Sequence, residues 1–266
     1  KKQISNSRSV FENIKSKYIL KKIFDILPKR KSLEIIRYNK SIQNRLDISI
    51  NDYSLIIIEL IPAKNKYGEF INILESQNKY FHIYFNKREE ESNRNFLFRE
   101  ENVSEIKIII DPPVKSFEKL FSNCNCIESL YFKQFIRSDV INMSNMFSGC
   151  SSLTELIFYD FNTKNVKDMN CMFSYCSSLN ELNLSKFNTK NVIDMNHMFS
   201  WCSSFEVLNL SNFNTNNVTN MNNMFFQCLS LNELNITSFN TNNVFDMCYM
   251  FFGCSSLKEL NIPNFN

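Results

Sequence analysis

The fold is decided by residues 179–205, which read LNELNLSKFNTKNVIDMNHMFSWCSSF. This pattern recurs throughout the C-terminal half of the chain at a constant spacing of 26 residues. An unbroken period of this length is typical of proteins in which successive repeats stack on one another. The clearest marker of the period is the dipeptide Met-Phe, found at Met146-Phe147, Met172-Phe173, Met198-Phe199, Met224-Phe225 and Met250-Phe251.

The first part of each repeat is predicted to be a short strand followed by a turn. Leu182 and Leu184 alternate with Glu181 and Asn183, so the two leucines should be buried on one face of a strand. Residues 187–192 read FNTKNV, a composition typical of turns, because Asn and Thr side chains hydrogen-bond nearby backbone groups.

The last part of each repeat is predicted to be a short helix. Asp194 is a favourable residue for the start of a helix, and Met195, Met198 and Phe199 follow at the spacing of one apolar helix face. A single coil of this kind buries too few apolar side chains to offset the entropy of ordering its backbone. Neighbouring coils are therefore expected to stack and to share a core.

Residues from about 119 to 266 resemble the 26-residue leucine-rich-type repeat of BspA-like proteins, on the strength of the phrase quoted above. Bacterial members of that family are cell-surface proteins, and some are adhesins that bind host proteins. The resemblance implies a leucine-rich-repeat-like α/β solenoid that binds other proteins.

The whole chain is predicted to be an α+β protein with three segments. Residues 1–50 should form a basic helical hairpin, residues 51–102 a small β-rich cap, and residues 103–266 the solenoid, with more coils or a C-terminal cap missing after residue 266. Within the solenoid, residues 103–118 are interpreted as a degenerate first coil, and Ile106–Ile110 as its ladder strand.

Two helices are predicted near the N-terminus, over residues 9–27 and 32–46. Residues 1–47 contain 13 Lys and Arg against 4 Asp and Glu, so this segment carries a charge of +9. The apolar side chains expected to face inward are Val10, Ile14, Tyr18, Leu20, Ile23, Phe24, Leu27, Leu33, Ile36, Tyr38 and Ile42.

Three interpretations of these helices are open. They could cap the solenoid, or they could bind nucleic acid through their charge, although no aromatic residues are interleaved with the basic ones. The third rests on Ile19-Leu20-x-x-Ile23-Phe24-x-x-Leu27-Pro28 followed by Leu33, which resembles the start of an F-box over about residues 15–40. That resemblance implies a partner of the Skp1 type.

The cap is predicted to contain strands at residues 55–61, 70–73 and 80–85, where apolar and β-branched residues cluster. The charged stretch Lys87–Asn95 is interpreted as a solvated loop.

Six of the nine cysteines share the repeat spacing: Cys124, Cys150, Cys176, Cys202, Cys228 and Cys254. Buried thiols stacked one per coil explain this pattern, because Cys packs as a small apolar residue. The spacing does not match a zinc site, and an odd total without a pairing pattern favours a reducing compartment. The predicted location is cytoplasmic, or the cell surface if a signal peptide precedes Lys1. No apolar run is long enough for a transmembrane helix.

Two surfaces are candidate partner-binding sites. The exposed strand face has a regular row of asparagines, represented by Asn183, Asn209 and Asn235, and early coils replace it with Tyr131, Lys133, Ile157 and Tyr159. The N-terminal cap or the charged loop could instead cover these four side chains. Along the second track, Tyr175 and Trp201 should stack on adjacent coils.

The sequence does not favour an enzyme. Cys171 and His197 are equivalent residues of adjacent coils and could form a nucleophile and base, but no third group to orient them is evident. No cofactor, metal or nucleic-acid partner is expected. The predicted function is a non-enzymatic protein-binding module, with a surface adhesin or an F-box-like adaptor as alternatives. The last strand, Leu260–Ile262, could also support self-association through an open C-terminal coil.

Overall fold

The computed structural model describes residues 11–27, 32, 35–37, 39–50 and 55–265, which combine helices and β-sheets. In the described part of the N-terminal segment, helices with defined bounds are α1 (Lys17–Ile26) and α2 (Lys40–Leu46), and residues 11–12, 32 and 35–37 are also helical. The strands are β1 (Ile56–Pro62), β2 (Gly68–Glu69), β3 (Phe81–Phe85), β4 (Glu91–Ser92), β5 (Phe96–Leu97), β6 (Ile106–Ile110), β7 (Ile127–Gln134), β8 (Glu155–Phe158), β9 (Val207–Asn209) and β10 (Glu233–Asn235). A short 3-10 helix, Glu75–Tyr80, precedes β3.

The N-terminal helices are shorter than the sequence predicts. Residues 13–16 are not helical, and α1 begins after Ser16, whose hydroxyl accepts a hydrogen bond from the Ile19 backbone N–H. A continuous second helix is also wrong, because Asn39 interrupts it and caps α2 by accepting from the Ile42 N–H at 3.0 Å.

The described residues of the N-terminal helical segment have a small core of their own. Its buried members are Leu20, Phe24, Ile36, Ile42 and Leu46. Tyr18, predicted to face inward, is 70% exposed, because the buried face of α1 is set by Leu20 and Phe24. Val10, Leu33 and Tyr38 lie outside the described residues.

Six strands form one sheet in the order β4-β3-β6-β1-β7-β8. Strand β1 pairs antiparallel with both β6 and β7, and β7 pairs parallel with β8 in a register that places Leu130 beside Leu156. One face of the sheet is buried, as Ile56, Ile58 and Leu60 show on β1. The remaining pairs are β9 with β10, parallel, and β2 with β5, antiparallel.

The structure corrects the expected first coil. Strand β6 is not the first strand of the parallel ladder, because β1 lies between it and β7 and pairs antiparallel with both. The sequence assigns residues 106–110 to the repeat because their apolar spacing matches it. Strand β1 comes from outside the repeat region, so the period of the sequence does not reveal that it lies between β6 and β7. Residues 70–73 are not a strand, and the stretch 87–95 contains β4, which pairs with β3.

From Ser116 onward, equivalent residues of successive repeats lie side by side. Parallel bridges join them in one continuous series: Ser116, Asn142, Asp168, Asp194, Asn220 and Asp246. Each coil contributes the same set of side chains to a shared core. In the coil that begins at Phe187, the buried set is Phe187, Val192, Met195, Met198, Phe199, Cys202, Phe205, Leu208 and Leu210.

The short helix predicted in each repeat is wrong, because the structure has consecutive tight turns there. Met198 N–H donates to the Met195 carbonyl at 3.3 Å, and Cys202 N–H donates to the Phe199 carbonyl at 3.1 Å, both across three residues. His197 and Trp201 have positive φ angles of 51° and 63°, which a right-handed helix excludes.

The alternate N–H groups explain why turns replace the helix. His197 N–H donates to the Asn222 carbonyl at 2.9 Å, and Phe199 N–H donates to the Met224 carbonyl at 2.9 Å, both in the next coil. An α-helix opened by Asp194 would instead direct the Phe199 N–H to the Met195 carbonyl of the same coil. The turns therefore connect the coils as a sheet does, and residues 142–150, 168–176, 194–202, 220–228 and 246–254 form what we call the turn wall.

Side chains complete the ladder at the turns. Asp194 Oδ1 accepts the Asn196 N–H at 2.9 Å, so it stabilises a turn rather than a helix start. The buried Thr189 hydroxyl donates to the Asn214 carbonyl at 3.0 Å and accepts the Asn214 N–H at 2.7 Å. Asn188 Oδ1 accepts the Lys190 N–H at 3.1 Å, so the local turn chemistry predicted for FNTKNV is confirmed for Asn188, whereas the Thr189 hydroxyl links adjacent coils.

We predict that Phe199→Ala lowers the free energy of unfolding by about 3–5 kcal/mol, because the ring is fully buried between equivalent rings of both neighbouring coils. Ile193→Ala, at a position 44% exposed in the same coil, should change it by less than about 0.5 kcal/mol. Urea unfolding measures both values, and equal losses would contradict the assigned faces.

A second prediction concerns Asp168, which lies beside Asp194 in the ladder. Burial and the charge of Asp194 raise the pKa of the Asp168 carboxyl, so its ionised form destabilises the fold above that pKa. Asn142 and Asn220 occupy equivalent positions and accept the same turn hydrogen bond. Asp168→Asn should therefore stabilise the protein at pH 7 by up to about 1 kcal/mol.

This gain should shrink as the pH falls through the Asp168 pKa, because the wild-type carboxyl then becomes neutral as well. Thermal unfolding at a series of pH values measures it. A variant that is less stable than the wild type at pH 7 would show that the carboxylate has a stabilising role in the ladder.

Candidate binding surfaces

We call the exposed side of β1, β7, β8 and the equivalent segments of later coils the strand face. At its first coils, a cation lies between two aromatic rings. The Lys133 ammonium lies 5.0 Å from the centre of the Tyr131 ring and 4.8 Å from that of Tyr159. It also pairs with Glu59 at 3.2 Å, and this hydrogen bond raises the pKa of Lys133. Ile157 lies beside Tyr131 in the sheet.

The structure therefore brings four predicted site residues together and leaves them accessible. Tyr159 is 45% exposed, and the other three are partly exposed. The expectation that the cap or the charged loop covers them is wrong. Strand β1 lies beside β7 and extends the same face, and β4, which belongs to the charged loop, pairs at the opposite edge of the sheet.

A groove crosses the strand face where the parallel ladder is interrupted. Among the described residues, the backbone groups of residues 180–183 form no hydrogen bond with the coil on either side, so β8 and β9 are not joined. A groove of about 980 Å³ follows this gap. Its lining includes Glu155, Ile157, Leu182, Asn183, Val207 and Asn209.

The predicted strand of this coil is thus only partly confirmed. Leu184 is buried and Glu181 and Asn183 are exposed, as the alternation indicates, but Leu182 is half-buried and no strand is formed. Asn209 and Asn235, also predicted site residues, are exposed on β9 and β10.

The strand face of the repeats is acidic. The four-residue segments beginning at residues 154, 180, 206, 232 and 258 contain five glutamates and one lysine. The glutamates, all exposed, are Glu155, Glu181, Glu206, Glu233 and Glu259. A cationic segment of a partner would therefore be attracted to this face.

The turn wall has the opposite character, because it lacks charged side chains over most of its area. Residues 169–180, 195–205, 221–232 and 247–257 contain no Asp, Glu, Lys or Arg. The only titratable imidazole there is that of His197, and burial lowers its pKa, so it is neutral at pH 7.

Five aromatic rings follow one another across this wall, and we call them the aromatic strip: Tyr175, Trp201, Phe226, Phe252 and Tyr249. Tyr175 and Trp201 stack with 5.7 Å between ring centres and an angle of 11°, as predicted. Trp201 contacts Phe226 at 5.9 Å, and Phe226 stacks on Phe252 at 5.3 Å.

Three members of the strip were not predicted. Phe226 and Phe252 precede the track of Tyr175 and Trp201 by one residue, and Tyr249 belongs to the neighbouring turn. The sequence does contain a signal for Phe226 and Phe252: residues 225–226 and 251–252 are Phe-Phe, where the other repeats have Phe-Ser.

Five of the six repeat cysteines form the buried ladder that the sequence predicts, and Cys254, in the last coil, is only partly buried. Cys176 donates its thiol hydrogen to the Phe147 carbonyl of the preceding coil at 3.1 Å, and Cys202 donates to Phe173 at 2.9 Å. Burial raises the pKa of the Cys150 thiol to about 12, so the buried thiols stay protonated at neutral pH. All nine cysteines are free.

Cys171 and His197 lie on adjacent coils, but they are not arranged as a catalytic pair. The structure shows no hydrogen bond between these two described residues. Burial raises the pKa of Cys171 and lowers that of His197, so both are neutral at pH 7, whereas an activated thiolate needs the opposite shifts. Within the described ranges, no group of three or more potential ligands could hold a metal ion.

None of the helices in the described part of the chain has the length and apolar character needed to cross a membrane.

Comparison with known families matches residues 115–211 and 206–266 to the family described as "Mycoplasma protein of unknown function, DUF285". The two matches together cover more than half of the chain. The protein belongs to this family. The matched region contains the turn wall, the aromatic strip and most of the strand face.

Among solved structures, the chain is similar to one titled "Crystal structure of T. pallidum Leucine Rich Repeat protein (TpLRR)". The two share 18% identity with a TM-score of 0.33, over 54% of this chain and 71% of that one. No curated protein matches the chain. None of these comparisons supports the F-box-like resemblance of the N-terminal helices, whose Pro28 and Leu33 lie outside the described residues.

We predict that the ladder thiols of Cys150, Cys176, Cys202 and Cys228 resist alkylation by iodoacetamide in the native protein and react only after unfolding. Cys248, which is exposed, should react first and serves as the internal control. Mass spectrometry of the digested protein measures each site. Native disulfides among the ladder cysteines, or their modification as fast as Cys248, would contradict the buried ladder.

Proposed function

We propose that this protein is a non-enzymatic protein-binding module in which the repeats from Ser116 onward form a leucine-rich-type solenoid. In this proposal the strand face holds an extended, basic segment of a protein partner. The two consecutive matches to one family and the resemblance of the repeat to BspA-like proteins support a repeat protein of this kind.

The observation that carries the proposal is the groove across the strand face. Residues 180–183 leave their backbone N–H and C=O groups without partners in the neighbouring coils, beside the edges of β8 and β9. Unpaired backbone groups at a sheet edge can bind an extended peptide, because main-chain hydrogen bonds supply affinity whatever its sequence. Ile157 and Val207 border the groove and supply apolar contacts; Val207 is 53% exposed.

The charge of the face defines the partner further. Glu155, Glu181 and Glu206 lie along or next to the groove, and no lysine or arginine is among its lining residues. A basic peptide would be steered to this face and an acidic one repelled. Nucleic acid is disfavoured for the same reason, because its phosphates need a basic surface.

Absence of catalysis is part of the proposal. The arrangement of Cys171 and His197 supports it, because their pKa shifts oppose nucleophile activation. The free thiols support a reducing compartment such as the cytoplasm. The surface-adhesin alternative rests on the resemblance alone.

Selection of peptides from a random display library on the immobilised full chain tests this function. Enriched peptides should combine Lys or Arg with β-branched residues, and their affinity should fall with increasing salt. Glu181→Lys with Glu206→Lys should weaken binding at least tenfold. The matched control is Glu89→Lys with Glu90→Lys, an equal change of charge at exposed residues outside the repeats, which should have little effect.

Enrichment of acidic peptides, or binding that the strand-face variant leaves unchanged, would contradict the proposal.

A further inference from the structure

We infer that the aromatic strip is the contact surface of a symmetric homodimer, in which two copies of the chain pack turn wall against turn wall. The inference concerns a surface separate from the groove and does not depend on what the groove binds. It rests on the exposure of the strip, on the absence of charge around it and on the period of its rings.

The fold itself does not need these rings. The core of the coils has its own stack of phenylalanines, in which Phe173, Phe199 and Phe225 lie 5.5–5.7 Å apart and are completely buried. The rings of the strip lie outside this core: Tyr175 is 53% exposed, and Phe252 is 54% exposed.

The turns do not require the rings either. Tyr175 and Trp201 have positive φ angles of 59° and 63°, which bulky residues rarely adopt. The equivalent positions of other coils hold Gly149, Gln227 and Gly253, also with positive φ. Large aromatic side chains at strained, exposed positions with no structural need indicate a binding surface.

The charge pattern favours a second copy as the occupant. A two-fold interface places a surface against itself, so every charge on it meets a like charge nearby. The strip avoids this cost, because residues 195–205 and their equivalents from residue 143 onward carry no Asp, Glu, Lys or Arg. The aspartates of the turn wall, Asp168, Asp194 and Asp246, lie only at the first residue of its segments. The strand face, with its row of glutamates, would repel its own copy.

The period of the strip makes it self-complementary. Its rings from successive coils are centred 5.3–5.9 Å apart, so the strip presents aromatic rings at one spacing. A second copy related by a two-fold axis between Trp201 and Phe226 has the same spacing, so the rings of the two copies can meet across the axis in edge-to-face contacts. Trp201 would then be at the centre of the interface, where residues that dominate binding energy usually lie.

The area is sufficient for a reversible dimer. Aromatic side chains bury about 150–250 Å² each, so four rings that are 37–65% exposed, together with the partly exposed Phe226, contribute roughly 500 Å² per copy. Two copies would bury roughly 1,000 Å² through the rings alone, which reaches the lower limit of specific interfaces before the surrounding polar side chains are counted.

Sedimentation equilibrium of the full chain over a hundredfold concentration range tests the inference. We expect a reversible monomer–dimer equilibrium. Tyr175→Gln with Trp201→Gln should weaken dimerisation at least tenfold. Glutamine is the matched replacement, because Gln227 adopts the same backbone conformation at the equivalent position with a φ of 58°. Val207→Gln, on the exposed strand face, is the control and should leave the equilibrium unchanged.

Trp201 provides a second measurement that needs no substitution, because it is the only tryptophan in the chain. It is 37% exposed in the monomer, so its fluorescence emission should shift to shorter wavelength and acrylamide quenching should fall as the protein is concentrated. This measurement remains decisive even if the double variant does not fold.

A monomer at every concentration would overturn the inference. So would a dimer that is as strong in the Tyr175→Gln and Trp201→Gln variant as in the wild type, since self-association would then use another surface, such as the last coil. Association without a change in Trp201 emission or quenching would have the same consequence.

Discussion

The structure depends on backbone hydrogen bonds that run from each turn to the equivalent turn of the next coil. In an α-helix that begins after Asp194, the N–H groups from residue 199 onward would be satisfied within the repeat, and adjacent coils would be joined mainly through side chains. Here alternate N–H groups close turns within the coil, and the others donate to the next coil, as His197 does to Asn222. Each coil therefore needs its neighbour to satisfy its backbone.

This constraint explains the sequence of the repeat. Asp or Asn at positions equivalent to residue 194 stabilises the turn that begins the wall. The buried cysteine fits a narrow space and donates its hydrogen to a carbonyl of the preceding coil. Thr189 does the same with its hydroxyl, so polar atoms that enter the core are paired across the coil boundary. The contacts that stack one coil on the next are therefore also the ones that satisfy the buried polar groups of both coils.

The sequence predicts the repeat, its buried positions and its thiol ladder, because all of these follow from the 26-residue period. It does not predict turns in place of a helix: Met195, Met198 and Phe199 have helical spacing, but the spacing of one apolar face cannot reveal where the backbone N–H groups point. The insertion of β1 beside β7 was also missed, because β1 lies outside the period. Among the site residues, Tyr131 and Lys133 were found as departures from a regular row, whereas Phe226 was not, because it lies one residue off the track.

The two exposed faces of the repeats differ in a way that follows from the same backbone. The strand face carries glutamates and asparagines and an interrupted ladder, and the turn wall carries aromatic rings and, apart from the aspartates at its first positions, no charged side chain. Since a change of side chain on either face leaves the ladder of backbone bonds intact, the two faces can serve different partners. Because the glutamates lie on one face and the aromatic strip on another, we assign peptide binding to the strand face and self-association to the turn wall.

The ladder of turns can be tested directly by measuring scalar couplings across hydrogen bonds by NMR in uniformly labelled protein. A coupling between the Phe199 amide nitrogen and the carbonyl carbon of Met224 should be observed, since the structure joins these groups at 2.9 Å. The same pattern should recur between Phe173 and Met198. A coupling from Phe199 to Met195 instead would show that the segment is an α-helix, and it would contradict the account of how the coils are held together.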